Sequence, residues 1–389
     1  MPLRLFRAAD TAVGERKASA AGPVLAFHGT GRAMWSPRDQ VSLTRTGYGE
    51  NVIAFRAVRM VADAAAAIPL VLSEGGMRQS EHAVLRLLAQ PNPGQDGRSF
   101  LEAVYGHIQL TGNAYLEAAA HDSLGLPVEL HALRPDRMRV VPGPDGWPEA
   151  FEYRVGKAMH RWRITPEARP VLHLKAFHPL DDHYGMSPLA AVAASIDVHN
   201  AALKWTKALL DNAARPSGAI VFGAKDGEQM SEEQYQRLQK EIEDNHQGAS
   251  NAGRPMLLEG GLDWRPMGYS PADMEFLKTK DSAARDIALA FGVPPMLLGL
   301  PGDNTYSNYQ EANRAFYRQT VLPLVAKVAR AIGTWIGEGT GRDLVEIGLE
   351  AEIPALGPER DARWKRVTDA EFLTDDEKRQ LLGLAPRGL

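Results

Sequence analysis

The residues whose types and spacing could support chemistry lie close together in the middle of the chain. Three imidazoles and two carboxylates occur within eleven residues, on His173, His178, Asp181, Asp182 and His183. Such groups bind divalent metal ions, and a metal-activated water would make the segment part of a nuclease or hydrolase. Their spacing matches no common metal-site pattern, so a polar turn between a strand and a helix cap at Ser187 is the competing interpretation.

Other catalytic signatures are missing from the sequence. It contains neither the Gly-x-x-x-x-Gly-Lys-Ser/Thr loop of nucleotide hydrolases nor the Gly-x-Gly-x-x-Gly loop of dinucleotide-binding proteins. Gly268-Tyr269-Ser270-Pro271 departs from the Gly-x-Ser-x-Gly nucleophile elbow and fits a helix cap better. The absence of cysteine excludes disulfides, thiolate metal ligands and cysteine nucleophiles. The sequence therefore predicts no enzymatic activity, no metal and no cofactor.

The charge distribution argues against a protein that grips nucleic acid tightly. The 389 residues carry a net charge of −4, whereas tight phosphate binding usually requires a basic excess. Residues 1–48 are basic, with a net charge of +4, and residues 218–270 are acidic, with a net charge of −4. No apolar run reaches the roughly 18 residues that span a bilayer, so no membrane partner is expected. Any DNA partner is expected to be contained or passed along.

Hydrophobic periodicity organises the first half of the chain into helices and short strands. Residues 1–50 are aperiodic at first and are predicted to form a flexible arm. Apolar residues at three- and four-residue spacing predict helices over 51–68, 82–89 and 99–110. Alternating runs predict strands over 70–72, 114–119, 128–133, 138–141, 150–155, 160–164 and 171–175. Strands that follow helices without a β-α-β repeat indicate an α+β fold.

Two long helices around a small acidic insert are predicted next. Ser187-Pro188 supplies a helix cap, and neither glycine nor proline interrupts the chain before Arg215, which predicts a helix of about 39 Å. The second helix begins at Ser270-Pro271 and ends at Gly292. The insert between them is predicted to contain strands over 219–222, 256–258 and 262–267 and a helix over 231–245.

A turn-rich loop over 298–308 follows the second long helix. Ser307, with Gln310 three residues later, fits a capping box and predicts a helix that continues to Ile332. Pro323 lies inside this helix and is expected to bend or split it. A strand over 344–349 and a polar helical tail over 361–384 complete the predicted order of elements.

Several segments, in this order, resemble phage portal proteins of the Hong Kong 97 type. The matching stretches are NVIAFRAVRMVADAAAAIPLVL at Asn51–Leu72, TGNAYLE at Thr111–Glu117, LRPDRM at Leu133–Met138, HLKAFHPLDDHYGMSPLA at His173–Ala190 and AFGVPPMLLGLPGDNTYSNYQEANRAFYRQTVLPL at Ala290–Leu324. The tail over Phe372–Pro386 resembles the closing pattern of that family. The compact length also resembles portals of gene transfer agents, which are phage-like particles.

The resemblance implies a portal fold and assigns a part to each segment. Residues 51–187 would form an α/β wing, and residues 350–389 a short helical crown. The remaining parts would be stem helices over 188–215 and 270–292, a clip over 216–269, a tunnel loop over 293–308, and a tunnel helix with more wing over 309–349. The family forms a ring of twelve subunits at one capsid vertex, through which double-stranded DNA is packaged and ejected.

The same resemblance implies partners and contact residues. The clip would dock the large terminase and the head–tail adaptor through acidic residues, with candidates Glu228, Glu232, Glu233, Glu241 and Asp244. Uncharged tunnel-loop residues would touch DNA without binding it tightly: Asn304, Thr305, Tyr306, Ser307 and Asn308. The basic N-terminal arm would contact the major capsid protein, within a virion or phage-like particle assembled in bacterial cytoplasm.

Four lysines of the long helices have two interpretations. Lys204, Lys207, Lys278 and Lys280 either face a DNA channel or form solvated surfaces beside an interface that contains Trp205. Two competing functions also remain. One is the metal-dependent nuclease or hydrolase at the histidine segment, which predicts bound metal. The other is a ring or scaffold protein without DNA contact, which predicts that the 295–308 loop faces protein.

Overall fold

The computed structural model describes residues 35–74, 77–79, 81–122, 125–165, 169–211, 218–222, 231, 233, 236–237, 240, 262–266, 271–302, 305–338, 345–347 and 353–384. The chain forms two compact units. One contains the residues up to Ala193 together with those from Ile287 onward, and the other is Ala194–Asp286. No helix in the described ranges is long and apolar enough to cross a bilayer.

Helices and short strands both contribute to the two units. The α-helices whose bounds lie within the described residues are α1 Gln40–Thr44, α2 Val52–Ala66, α3 Ala83–Ala89, α4 Gly97–Thr111, α5 Pro188–Ala191, α6 Ala193–Asp211, α7 Pro271–Ala290, α8 Tyr306–Phe316, α9 Leu322–Glu338, α10 Gly357–Thr368 and α11 Asp375–Leu381. The strands are β1 Leu70–Glu74, β2 Met77–Gln79, β3 Asn113–His121, β4 Pro127–Leu133, β5 Met138–Pro142, β6 Pro148–Val155, β7 Ala158–Arg163, β8 Val171–Lys175, β9 Gly218–Phe222, β10 Leu262–Pro266 and β11 Val345–Ile347.

The strands that the structure describes form four small sheets, and each of their pairs is antiparallel. Their strand orders are β11-β1-β2, β4-β3-β8, β5-β6-β7 and β9-β10. The absence of parallel pairs in these sheets agrees with the α+β class predicted from the sequence. Most predicted strands are present within a few residues of their expected bounds, while β2 was not predicted.

Two capped amphipathic helices of the first unit, α2 and α4, pack against each other. The side chain of Asn51 accepts hydrogen bonds from the backbone N–H groups of Ile53 and Ala54, which begins α2. Small and branched apolar residues on one face of α2 are buried, among them Ala54, Ala57, Val58, Val61 and Ala65. Because these side chains are small, α4 can pack closely against α2, with Phe100 and Tyr105 fully buried.

Close backbone contact joins the start of β3 to the segment before α5. Gly112 has a φ of 72°, and a Cβ there would lie 2.6 Å from the backbone of Gly185. A Cβ on Gly185 would lie 2.1 Å from the carbonyl oxygen of Gly112. Asn113 is buried beside them; its Oδ1 accepts from the N–H of Gly185 at 2.8 Å, and its Nδ2 donates to the Gly185 carbonyl at 3.2 Å. Two segments that carried the family resemblance therefore meet here.

Parts of the predicted secondary structure differ from the observed helices. The predicted helix over 188–215 is interrupted at Val192, where φ is −107° and ψ is 15°, and the N–H of Val192 donates to the Pro188 carbonyl, which ends α5. The predicted tail helix over 361–384 is two helices, since Thr374 forms a capping box with Glu377 that begins α11. The supposedly flexible residues 1–50 include α1 and a π-helical turn over Arg45–Gly49; Asp39 caps α1.

The helix around Pro323 is interrupted, as expected for a helix that contains a proline. A π-helical segment over Tyr317–Val321 separates α8 from α9 and lies directly before Pro323. Proline has no N–H and cannot donate to the carbonyl four residues earlier, so the helix widens at this point. The expectation that Pro323 splits the helix is confirmed, and the helical stretch continues to Glu338, beyond the predicted end at Ile332.

Candidate functional site

The loop between α7 and α8 begins with a well-defined helix end. Gly292 has a φ of 64°, and the N–H of Val293 donates to the Ala288 carbonyl at 3.0 Å. A left-handed glycine followed by this bond closes a helix and turns the chain. Pro295–Leu298 then form a short 3₁₀ turn, which Gly299 ends with a φ of 74°.

The base of the loop is attached to the π-helical segment. The hydroxyl of Thr320 donates to the carbonyl of Gly292 at 2.6 Å, across 28 residues of sequence. A Cβ on Gly292 would lie 2.4 Å from that hydroxyl, so glycine is needed both for the backbone angle and for this contact. The π-helical residue therefore holds the loop at its start.

The far end of the loop is the beginning of α8. Thr305 has extended backbone angles, and its hydroxyl accepts a hydrogen bond from the N–H of Asn308 at 3.2 Å. The prediction that Ser307 caps this helix is therefore wrong. Thr and Ser are both good caps, and the spacing to a later Gln cannot tell which of them has the extended backbone that capping requires.

Four of the five predicted loop residues fall at this helix start. Thr305 is the cap, while Tyr306, Ser307 and Asn308 form the first turn of α8, so the predicted tunnel loop is shorter than 293–308. Asn304 lies outside the described residues. Ser307 and Asn308 are exposed, as are the following residues up to Glu311. A solvated helix start thus projects from a loop whose base is held in place.

This helix start contains no ionisable group that is charged at neutral pH. Residues 305–310 are Thr, Tyr, Ser, Asn, Tyr and Gln. The first charged side chains, Glu311 and Arg314, form an ion pair at 2.8 Å and so offset each other. Arg318, one turn further, pairs with Glu359 of α10 at 2.9 Å. The exposed end of α8 is polar without being cationic.

The four lysines of the long helices do not have equivalent surroundings. Lys204 and Lys207, three residues apart on α6, are exposed on one face. Lys278 is exposed, but Lys280 is half-buried, and its charge contributes, after burial, to the lowered pKa of His199. Residues two positions apart on a helix point in different directions, so Lys278 and Lys280 cannot both face one channel.

The helices α6 and α7 are joined by polar contacts within the second unit. The hydroxyl of Ser195 donates to the carboxylate of Asp286 at 3.2 Å. Of the five predicted clip carboxylates, Glu233 is described and exposed. Glu228, Glu232, Glu241 and Asp244 lie outside the described residues, as does the predicted strand over 256–258.

The histidine segment folds as a turn. Asp181 Oδ1 accepts from the N–H groups of His183 and Tyr184 at 2.8 and 3.0 Å, and His178 Nδ1 accepts from the N–H of Leu180 at 3.1 Å. Ser187 caps α5 as predicted. These contacts use the Asp and His side chains to shape the backbone, which confirms the interpretation as a polar turn.

His173 is a buried structural residue. Its ring stacks on Tyr115 with centroids 4.2 Å apart, and its Nε2 lies 3.0 Å from Asn113 Oδ1. Burial lowers its pKa to about 3, so the ring is neutral at physiological pH. In the described ranges, no group of three His, Cys, Asp or Glu side chains is arranged to hold a metal ion.

Thr320 and Gly292 are the supporting residues that the sequence analysis missed. The end of α7 at Gly292 was predicted from the Gly-Val-Pro-Pro run, but nothing in that run indicates a partner for the Gly292 carbonyl. Thr320 belongs to the π-helical segment, and its hydroxyl reaches this carbonyl. Pro323 was the available signal for such a segment.

Comparisons with known proteins show which sequences and structures this chain is similar to. The sequence model of one family, described as "Phage portal protein", matches residues 53–383. Two solved structures of the neck of a gene transfer agent particle, computed with C6 and C12 symmetry, contain chains that are 56% and 55% identical to this one. In both, the match covers 92% of this chain and 96% of the other, with TM-scores of 0.75 and 0.74.

A more distant relative is the portal protein of Enterobacteria phage HK97. It is 24% identical to this chain over 349 residues, which is 85% of this chain and 78% of the relative. The matched region extends through both compact units. The resemblance to portal proteins of this type, first read from five short segments, thus holds along most of the chain.

Proposed function

This chain belongs to the phage portal protein family, and from that premise we propose that it is one subunit of a ring at a unique capsid vertex. The ring forms the channel through which double-stranded DNA is packaged and later ejected. The observation that carries the proposal is the 55% identity to a chain in a particle neck computed with C12 symmetry. Head-to-tail contacts that close by rotation produce such a ring, and we expect twelve subunits.

Apolar side chains exposed in the single subunit support assembly with neighbours. In the second unit, Leu203, Trp205 and Leu277 are 38%, 37% and 60% exposed. In the first unit, Phe177 and Leu180 of the histidine turn are exposed further still. Large apolar groups on helices and turns are stabilised when a partner removes them from water, and neighbouring subunits are the partner that a ring supplies.

The proposal assigns parts to the described elements. Helices α6 and α7 belong to the stem, and the acidic segment 216–269 is the clip that docks the large terminase and the head–tail adaptor. Residues 350–389 form the crown, and the basic N-terminal arm contacts the major capsid protein. The chain has no catalytic role and needs no cofactor, because the terminase supplies the energy for packaging.

The loop between α7 and α8 and the start of α8 form the narrow part of the channel in this proposal. Uncharged polar side chains hydrogen-bond to passing DNA but do not release its counterions, so they contact it without holding it. The bond between Thr320 and Gly292 fixes the base of the loop. A loop held at its base, followed by an uncharged helix start over residues 305–310, suits a surface along which DNA must move in both directions.

The test is a particle assay with the double variant Asn304→Ala/Tyr306→Ala. We expect rings of normal mass, normal particle numbers and a reduced amount of nuclease-protected DNA per particle. A matched control is Glu371→Ala/Gln380→Ala, two exposed polar positions in the C-terminal segment, which should leave DNA content unchanged. Loss of rings in the loop variant, with normal DNA content in the particles that remain, would contradict a channel role for these residues.

A further inference from the structure

One face of the sheet β5-β6-β7 carries a cluster of arginines. Residues Arg139 of β5, Glu152 of β6 and Arg161 of β7 are register partners across the three strands. Because side chains alternate along a strand, Arg163 and Arg154 lie on the same face as this row, two residues away on β7 and β6. The opposite face carries Met138, Val140 and Phe151 in the core.

The arginines surround a single buried carboxylate. The Glu152 side chain is 9% exposed, with guanidinium nitrogens of Arg161, Arg154 and Arg139 at 3.5, 3.8 and 4.0 Å from its oxygens. Its Oε2 atom is buried without a hydrogen bond. The charge of Glu152 therefore attracts the three guanidinium groups, while most of their N–H donors are not used by this carboxylate.

The cluster has a surplus of positive charge. The three strands and the two turns that join them, residues 138–163, hold five cations, including Lys157 and Arg163, against the carboxylates of Asp145, Glu149 and Glu152, for a net charge of +2. The chain as a whole has a net charge of −4, so this face differs in sign from the average surface. The side chains of Arg139 and Arg154 are 66% and 61% exposed.

We propose that this arginine face binds the phosphate backbone of double-stranded DNA. The inference rests on the proposed function, which brings DNA to the protein, and adds a contact surface distinct from the loop at the start of α8. Guanidinium groups recognise phosphate through paired N–H donors, and four of the five cations are arginines.

The spacing of the arginines fits a row of phosphates. Arg161 and Arg163 are about 7 Å apart along β7, and Arg139 and Arg161 about 10 Å apart across the sheet. Duplex DNA presents one charge for about every 1.7 Å of its axis, so several phosphates face an area of this size. An acidic protein segment is the alternative occupant, but a protein interface usually has an apolar centre, and here the centre is the Glu152 carboxylate.

The experiment measures binding of a fluorescent 30-base-pair duplex of arbitrary sequence to purified full-length protein, by anisotropy, from about 50 to 200 mM salt. The variant is Arg154→Gln/Arg163→Gln, which leaves Arg139 and Arg161 to neutralise Glu152. Each lost phosphate contact lowers the slope of log affinity against log salt by about 0.9. We expect the slope to fall by about two units and the affinity at 100 mM salt by tenfold or more.

The control removes two charges from other exposed positions, Arg56→Gln/Arg366→Gln. It should leave the slope within half a unit of the original, and both variants should keep the melting temperature and the oligomer mass.

The proposal is overturned by an unchanged slope in Arg154→Gln/Arg163→Gln, by equal losses in both variants, or by wild-type protein that fails to bind the duplex at 50 mM salt. It is also overturned if the variant loses binding to a poly-glutamate probe while duplex binding persists. Failure of ring assembly would count against the portal function alone, because the duplex assay reads the arginine face of a single subunit.

Discussion

The contact between Asn113 and Gly185, called the junction below, differs from the helices α6 and α7 in what covers its side chains. At the junction, the buried Asn113 side chain bonds to both backbone groups of Gly185 and contacts His173 within one subunit. On the helices, Trp205 and Leu277 remain exposed in the single subunit. The difference indicates that the first region is stabilised by its own chain, whereas the second needs neighbouring subunits.

The junction is broken most directly by adding one methyl group. In Gly185→Ala the Cβ would lie 2.1 Å from the Gly112 carbonyl oxygen and 2.6 Å from the Ala176 nitrogen. Both are backbone atoms that cannot move aside alone, so we expect the free energy of unfolding to fall by about 3 kcal/mol or more. Chemical denaturation measures this change.

The matched control for the junction is Gly106→Ala. Gly106 lies inside α4, and nothing is within 4 Å of a Cβ at that position. Alanine there should raise the free energy of unfolding by about 0.5 to 1 kcal/mol, because glycine is a poor helix former. Similar effects of the two substitutions would show that the close contact between Gly112 and Gly185 does not matter for stability.

The helix pair is tested by the double variant Trp205→Ala/Leu277→Ser. If neighbours cover these side chains, losing the contacts weakens each interface by about 3 kcal/mol, or roughly a hundredfold. We expect smaller species at micromolar concentration in sedimentation velocity, with the subunit's melting temperature shifted by only a few degrees. Lys365, an exposed polar residue of α10, gives a control, Lys365→Ala, that should assemble normally. If the double variant unfolds instead of dissociating, these two side chains stabilise the subunit itself and not its contacts with neighbours.

The buried histidine of the junction should make stability depend on pH. Burial lowers the pKa of His173 to about 3, against 6.5 for an exposed histidine. Between these values the unfolded chain binds a proton that the folded chain does not, so stability falls as the pH drops below 6.5. The expected loss is about 1.4 kcal/mol per pH unit.

In the variant His173→Gln, the unfolded chain should bind one proton fewer between pH 6.5 and 4. The free energy of unfolding should therefore depend less steeply on pH than in the original protein. His107 adds a term of the same sign, since burial lowers its pKa to about 4, and this term should persist in the variant. Urea titrations at several pH values measure both slopes. Identical slopes for the variant and the original protein would mean that His173 is not held neutral by burial.

The smallest expected effect concerns the loop between α7 and α8. Thr320→Val removes the hydroxyl that donates to Gly292 at 2.6 Å, and one such bond contributes about 1 kcal/mol. Amide hydrogen exchange should become faster at residues 292–300, while Thr320→Ser, which keeps the hydroxyl, should not change it. Equal exchange in the two variants would show that this bond does not hold the loop.

The sequence predicted the elements of the first unit well because their signals are local. Alternation placed β8 at Val171–Lys175, as observed, and the predicted helix start at residue 51 lies one residue from the observed start of α2, which Asn51 caps. The break at Val192, the cap at Thr305 and the helix over Gln40–Thr44 were missed, because each depends on what the backbone packs against. Composition alone could not distinguish Thr305 from Ser307 as the cap.

The candidate site was only partly predictable for a related reason. Uncharged residues at 304–308 could be recognised in the sequence, but the supporting bond between Thr320 and Gly292 could not. The arginine face was also overlooked. Arg161 and Arg163 show strand alternation in the sequence, yet only the register with β5 and β6 places Arg139 and Arg154 beside them.

The central claim, that this chain forms a portal ring, is tested most directly by the mass of the purified full-length protein. Native mass spectrometry, with negative-stain images of the same sample, gives both the number of subunits and the shape. We expect annular particles with a mass near twelve times 42.5 kDa. A stable monomer or dimer at concentrations of tens of micromolar, without rings in the images, would contradict it.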